Sequence, residues 1–275
     1  MESKVFRQLI IIFLITQFLG LYVANALIQE EIHVSGIVSD NPEDLANPLG
    51  LIVYILIVTA ILLIAIKYFK SLLLIKIMEV LAVFGTSFIV FGAIFSDAVP
   101  ALALIAIVTG ARIFFRKNLL MRNVASIVSA AGAGSLIGIS MGVMPVLLFI
   151  ALLSVYDLIA VFKTKHMITL AKSVTKENMA FTVAMPTKKH QFELGVGDLV
   201  IPMVFSVSVL KATNPSLVFP WNFFPAAAIL LASLLGLLWT IDFISKRIGT
   251  ALPALPPQTA LMILTYIGLL FLGFV

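Results

Sequence analysis

Two acidic residues lie inside stretches that are otherwise suited to hydrocarbon. Asp157 sits in Ser154-Val155-Tyr156-Asp157-Leu158-Ile159, and Asp198 in Glu193-Leu194-Gly195-Val196-Gly197-Asp198-Leu199-Val200. A carboxylate at the centre of a membrane helix costs about 2.5–3.5 kcal/mol on insertion scales. Ordinary packing offers nothing to offset that, so two such residues on consecutive apolar segments indicate a site. Carboxyls brought close together in a low dielectric do not both ionise, and the pair holds one shared proton. That is the arrangement of an aspartic peptidase. The charged member takes a proton from water, the neutral member donates to the scissile carbonyl oxygen, and the roles exchange as the amine leaves.

Two further stretches bear on the same chemistry. Gly195 and Gly197 permit positive φ and close backbone approach, which would let an extended peptide lie beside Asp198. Taken alone, the pair reads more plainly as a flexible helix start with packing glycines. Pro202 follows and is expected to kink that segment. In Ala251-Leu252-Pro253-Ala254-Leu255-Pro256-Pro257, three prolines in five residues disfavour helix and favour extended backbone. Non-helical backbone at membrane depth is tolerated where it lines a cavity. The plainer alternative is a proline-rich helix entry at the interface.

The elements that must position these residues are membrane spans. Charged residues are 11% of the 275, against about 25% in soluble domains, and mean hydropathy is +1.16. Apolar runs long enough to cross a bilayer cover residues 5–27, 49–66, 72–95, 98–115, 121–142, 144–162, 197–209, 223–244 and 259–275. The expected fold is all-α: a polytopic membrane protein of nine transmembrane helices, forming a single membrane domain over 1–275. Spans one to six occupy 1–162, a cytoplasmic loop 163–194, and the last three spans 195–275. Of the 18 basic residues, every one but Lys211 falls on one face of that arrangement. The positive-inside bias then places the N-terminus in the cytoplasm and the C-terminus outside. The alternative for the first segment is a signal peptide cleaved near Ala24-Asn25-Ala26, which leaves the other orientations unchanged.

On this topology Asp157 lies six residues before Lys163, about 9 Å deep at 1.5 Å per residue. Asp198 lies three or four residues into its span, roughly 5–6 Å deep. Both carboxyls fall in the inner third, on consecutive antiparallel helices, and the proline-rich stretch opens the last span on the same side.

The ordered set Tyr156-Asp157, Gly195-Val196-Gly197-Asp198 and Pro253-Ala254-Leu255, on spans six, seven and nine, resembles the presenilin and signal peptide peptidase family of GxGD-type intramembrane aspartyl proteases. The resemblance at motif level covers about residues 154–257; the first five spans match in number and direction only. It implies catalytic roles for Asp157 and Asp198. It implies a substrate-binding role for Pro253-Ala254-Leu255, and by extension for Tyr156, Gly195, Val196, Gly197 and Leu252 around them. Val196 stands where the family usually has leucine. The charge bias is presenilin-like, while the short inner loop and the chain length look like a compact microbial homologue, with a cell-membrane location.

A transmembrane substrate must unwind before cleavage, and its freed backbone groups cost several kcal/mol each in lipid. Pairing as an added strand offsets that, with residues 195–197 and 252–257 as the expected edges. The partners implied are transmembrane segments of substrate proteins and the lipid bilayer, with no nucleic acid; a homo-oligomer is compatible with the sequence. No cofactor or metal is called for. With no cysteine in the chain, thiol catalysis and disulfides are excluded.

Competing readings are weaker. Intramembrane acids and broken helices also suit a transporter or cation channel with Asp157 and Asp198 as proton or ion ligands, but no repeated half is visible. Gly138-Ile139-Ser140-Met141-Gly142 matches G-x-S-x-G, yet Ala130, Gly134, Gly138 and Gly142 recur every four residues, as small residues do on packed membrane helices. His166 and His190 fall on the opposite face from Ser140, and His33 lies in the first outer loop. Glu79 reads as a charge one turn from Lys76, and Arg112 as a side chain snorkelling inward. Residues 163–189 read as a mostly solvated loop, with an interfacial helix around 168–172.

Overall fold

The computed structural model describes residues 3–32, 34–64, 73–164, 179–186, 191–245 and 253–275. Among them are nine α-helices: α1 (Ser3–Gln29), α2 (Ala46–Ile64), α3 (Leu73–Ile94), α4 (Ala98–Phe114), α5 (Leu119–Ser140), α6 (Val143–Ile159), α7 (Gly197–Ala212), α8 (Phe224–Ser245) and α9 (Leu255–Phe271). The apolar runs of the sequence correspond to these helices within a few residues, except in the last. Six helical stretches are long and apolar enough to cross a membrane by length and composition, those of α1, α2, α3, α5, α6 and α8. The protein is therefore an integral, multi-pass membrane protein.

The helices assemble around α7, which packs against α5, α8, α6, α1 and α9. Its Leu199 and all of residues 201–210 are buried, the pattern of a helix apolar on every side and enclosed by others. That explains its 16 residues: at about 24 Å it is shorter than a hydrocarbon core of about 30 Å, because neighbouring helices rather than lipid solvate its ends. The α5–α7 contact depends on small residues. A Cβ on Gly134 would come 2.5 Å from Met203 Cγ, and one on Gly138 2.8 Å from the Val204 carbonyl oxygen. The four-residue spacing is thus a packing face, as expected, although Gly142 stands outside α5 and meets Glu43 instead.

α1 is part of this core. Leu9, Phe13, Val23 and Ala24 are buried in the same cluster as Met203 and Val207 of α7. Its buried Gln17 donates from Nε2 to the Leu199 carbonyl at 3.0 Å.

Three expectations need correction. The inner loop is not simply solvated: Thr182–Pro186 (β1) and Gln191–Gly195 (β2) pair antiparallel, Thr182 opposite Gly195. Val183, Ala184 and Met185 are buried, and this apolar strand packs against α5. The interfacial helix expected near 168–172 lies outside the described residues. Second, α9 starts at Leu255, four residues earlier than read, with Pro256 and Pro257 inside its first turn. Proline is at home there, because the first helical N–H groups have no partner in the helix to lose. Third, Arg112 does not snorkel to water. It is 1% exposed and pairs with Glu79 at 2.6 Å, so Glu79 is no isolated helix-end charge.

Candidate functional site

At one end of the bundle, three helix termini meet. α6 finishes at Ile159 and continues as one wide π turn, Ala160–Thr164. Such turns leave the i−4 ladder and are frequent at functional sites. Asp157 is in the last α-helical turn before it. α7 begins at Gly197, so Asp198 occupies its first turn. α9 begins at Leu255 with Ala254 as its N-cap. Both carboxyls are half-buried.

Contacts tie the termini together. The backbone N–H of Leu255 donates to Asp157 Oδ2 at 3.4 Å, a long bond, but one that places the carboxylate at the N-terminus of α9, where the helix dipole favours negative charge. α6, which carries Asp157, packs against α7, which carries Asp198. Tyr156 and Leu255 pack on the same apolar cluster, together with Val200 of α7. Ala254 and Val196 pack on the neighbouring cluster that contains Leu199. Pro253 is buried. Leu252, also named as a site residue, lies outside the described residues. The structure thus gathers Tyr156, Asp157, Gly195, Val196, Gly197, Asp198, Pro253, Ala254 and Leu255 at one end of the bundle.

The glycines act differently from the expectation. Neither has positive φ. Gly195 closes β2, and a Cβ there would lie 3.6 Å from Asp198 Oδ2, so any larger side chain would cover that face of the carboxyl. Around Gly197 a Cβ would meet nothing within 4 Å, leaving open space beside the Asp198 turn. Val196 is helical in conformation, not extended (φ −61°, ψ −29°), and its N–H donates to the Phe181 carbonyl at 3.0 Å. Likewise the extended piece before α9 shrinks: Leu255 is already helical and Ala254 has φ −88°, ψ −25°.

The extended edge beside the aspartates is instead β2. The outer edge of β1 is occupied by α5: Asn123 exchanges two 2.8 Å bonds with Ala184, and Ser126 Oγ donates to Ala180 and Thr182 carbonyls at 3.1 Å. Since the Ala184 backbone groups turn toward Asn123, those of its partner Glu193 turn away from β1, as do those of Gly195 opposite Thr182. That edge runs straight into Asp198.

Sequence reasoning missed the side chains that seat this hairpin. Buried Arg122 reaches Glu193 at 2.8 Å, and Glu193 also accepts from Thr182 Oγ1 at 2.5 Å and from Gln191. The only signal was negative: Arg122 stood inside an apolar run, and a buried arginine requires a carboxylate. Beside the third motif, buried Ser233 of α8 donates to Gln258 Oε1 at 2.8 Å. There α8 and α9 approach closely, a Cβ on Gly236 falling 2.9 Å from the Gln258 backbone. Ser140 has an ordinary role, its hydroxyl bonding the Ile137 carbonyl at 2.8 Å.

The chain is similar to known proteins across almost its whole length. The family model described as signal-peptide peptidase, presenilin aspartyl protease matches residues 10–274, well beyond the 154–257 that the motifs span. Two solved structures of a presenilin family intramembrane aspartate protease share the fold. The one in a P2 crystal form has a TM-score of 0.69 at 26% identity, covering 96% of this chain and 97% of that one. The one in a C222 form has a TM-score of 0.64 at 23% identity, covering 94% of each. No curated protein sequence matches.

Proposed function

The chain belongs to the signal-peptide peptidase and presenilin aspartyl protease family, and on that premise we propose that Asp157 and Asp198 are the carboxyls with which it hydrolyses peptide bonds inside membrane segments. It is an aspartic endopeptidase of the intramembrane class. The observation that supports the assignment is the Leu255–Asp157 bond: two of the three sequence motifs, 98 positions apart, meet at one carboxylate, on a helix packed against the one that carries Asp198.

The mechanism follows from the two environments. One carboxylate of the pair accepts a proton from a water molecule, and the oxygen attacks the scissile carbonyl carbon. The other, protonated, donates to the carbonyl oxygen, giving a neutral tetrahedral diol. The first carboxyl then donates its proton to the nitrogen while the second takes one from a diol hydroxyl; the C–N bond breaks, amine and acid leave, and the pair again holds one proton. Asp157 suits the charged role in the resting pair, because it accepts the Leu255 N–H and a hydrogen bond to the charged form favours that form.

The substrate is a transmembrane segment of another protein. Its unwound stretch would pair with the outward edge of β2, whose Glu193 and Gly195 backbone groups lead to Asp198. Space beside Gly197 would receive the chain at the point of cleavage. All nine helices cross the bilayer in this reading, with the N-terminus and the hairpin on the cytoplasmic side, 1–275 forming one membrane domain and α1 retained within it.

The test is a transmembrane peptide cleaved by purified protein, alongside a peptide mimic bearing a hydroxyl in place of the scissile carbonyl. Cleavage and mimic binding are expected to disappear in both Asp157→Asn and Asp198→Asn. Protein that leaves such peptides intact yet moves ions across liposomes would instead establish the transporter reading.

A further inference from the structure

The inner half of the molecule buries another carboxyl, one that the proposed chemistry does not use. Glu79 on α3 is fully buried. Its Oε1 accepts from Arg112 Nε at 2.6 Å and from the backbone N–H of Ala180 at 2.7 Å. Its Oε2 accepts from Arg116 at 2.5 Å, and Arg112 Nη1 donates onward to the Arg116 carbonyl at 2.9 Å. Charge-assisted bonds of this kind are about twice as strong as neutral ones. The two arginines account for the carboxylate's neutralisation, but not for the third donor. Ala180 belongs to the segment entering the hairpin, 101 positions along the chain.

That third bond leads to the reaction centre. Ala180 is held on both sides, its carbonyl accepting from Ser126 Oγ at 3.1 Å. The next carbonyl, of Phe181, accepts the N–H of Val196 at 3.0 Å, and the Val196 carbonyl accepts the N–H of Leu199 at 3.0 Å. Asp198 lies within that last turn. A short succession of hydrogen bonds therefore joins a fixed point on α3 and α4 to the start of α7. The Arg122–Glu193 pair seats β2 against α5; the Glu79 bond seats the β1 end against α3 and α4.

We propose that Glu79 is a positioning residue for the peptidase: its carboxylate fixes the hairpin, and through it the Asp198 turn, relative to Asp157. This rests on the assignment of the two aspartates as the reacting pair. Were Glu79 only a counter-ion for the arginines, any substitution that balanced the charge would serve equally well.

Two double variants separate these roles. Glu79→Gln with Arg116→Met and Glu79→Ala with Arg116→Met carry the same local charge, but only glutamine keeps an oxygen for the Ala180 N–H. Cleavage of a transmembrane peptide is measured with amide hydrogen exchange over residues 180–199. The glutamine pair is expected to keep kcat within about threefold of the native chain. The alanine pair is expected to lose at least about tenfold in kcat, with KM changed less and with faster exchange at Val196 and Leu199. Equal kcat and equal exchange in the two pairs would overturn the proposal. Should the alanine pair fail to fold, Ala180→Pro removes the N–H while leaving Glu79 and its arginines in place; it is expected to show the same loss, and unchanged kcat there would equally overturn it. Native cleavage that survives Asp157→Asn would refute the dyad instead, while the exchange comparison would still report whether Glu79 holds the hairpin.

Discussion

Replacing Gly138 by alanine adds one methyl group where α5 meets the backbone and a β-branched side chain of α7. That methyl would lie 2.6 Å from Val207 Cβ and 2.8 Å from the Val204 carbonyl oxygen. Carbon atoms settle about 3.5–4.0 Å apart, so one helix must yield by about 1 Å, and neither a β-branched Cβ nor a backbone oxygen can swing aside. Overpacking of this size costs about 1–3 kcal/mol, against a gain of about 1 kcal/mol from alanine's helix propensity. Gly85, on α3, is the control, because a Cβ there meets nothing within 4 Å. Gly85→Ala is expected to stabilise by up to about 1 kcal/mol, placing the two substitutions about 1–3 kcal/mol apart. The displacement also reaches the reaction centre. Val207 and Asp198 are on one helix, and a misplacement of about 1 Å can cost about 100-fold in rate. Thermal unfolding in detergent and the kcat for a transmembrane peptide read the two effects. If Gly138→Ala stabilises as much as Gly85→Ala and leaves kcat unchanged, the close packing of α5 on α7 is not what sets the position of Asp198.

Other outcomes follow from the same contacts. Asp157→Asn and Asp198→Asn should each abolish cleavage, and the double variant should be no worse than either single, since the pair acts as a unit. The pH–rate profile should be bell-shaped, one limb for the carboxyl that must be charged and one for the carboxyl that must be neutral; a profile with a single limb would contradict a one-proton pair. Ser140→Ala should leave kcat unaffected, because its hydroxyl only caps the end of its own helix; loss of activity would revive the serine reading. Glu193→Gln should destabilise the fold by about 1–3 kcal/mol, since it removes the charge that buried Arg122 bonds to. Chemical unfolding would measure it, and Arg122→Met in the same chain should recover much of the loss.

The membrane helices were legible because hydropathy is local: each apolar run needs no partner to be recognised. The meeting of Asp157, Asp198 and Pro253-Ala254-Leu255 at one end was also legible, since charge bias fixes which end of each helix is which. The hairpin was not. Thr182-Val183-Ala184-Met185-Pro186 is a five-residue strand of largely apolar sequence among lysines, and its burial depends on α5, 61 positions away in the Asn123–Ala184 bond. Glu79 and Arg112 were misread for a similar reason. Each looked like an ordinary end-of-helix charge, and only the packing of α3 on α4 turned them into a buried pair. The α9 start was placed four residues late because the prolines read equally as extended backbone or as a helix entry, and it is the helix entry that the structure shows, the first turn being the one place a helix accepts proline.

An open strand edge has a consequence for selectivity. Backbone groups of Glu193 and Gly195 offer the same donors and acceptors to every sequence, so pairing with β2 cannot discriminate among side chains. What differs between candidate substrates is the work of opening their own helices. Each glycine in a segment lowers that by about 1 kcal/mol relative to alanine, and β-branched residues by less. If substrates pair with β2 as proposed, the enzyme would sort its clients by how readily they fray rather than by a consensus. The rate at which a membrane anchor is removed would then become a property written into the anchor.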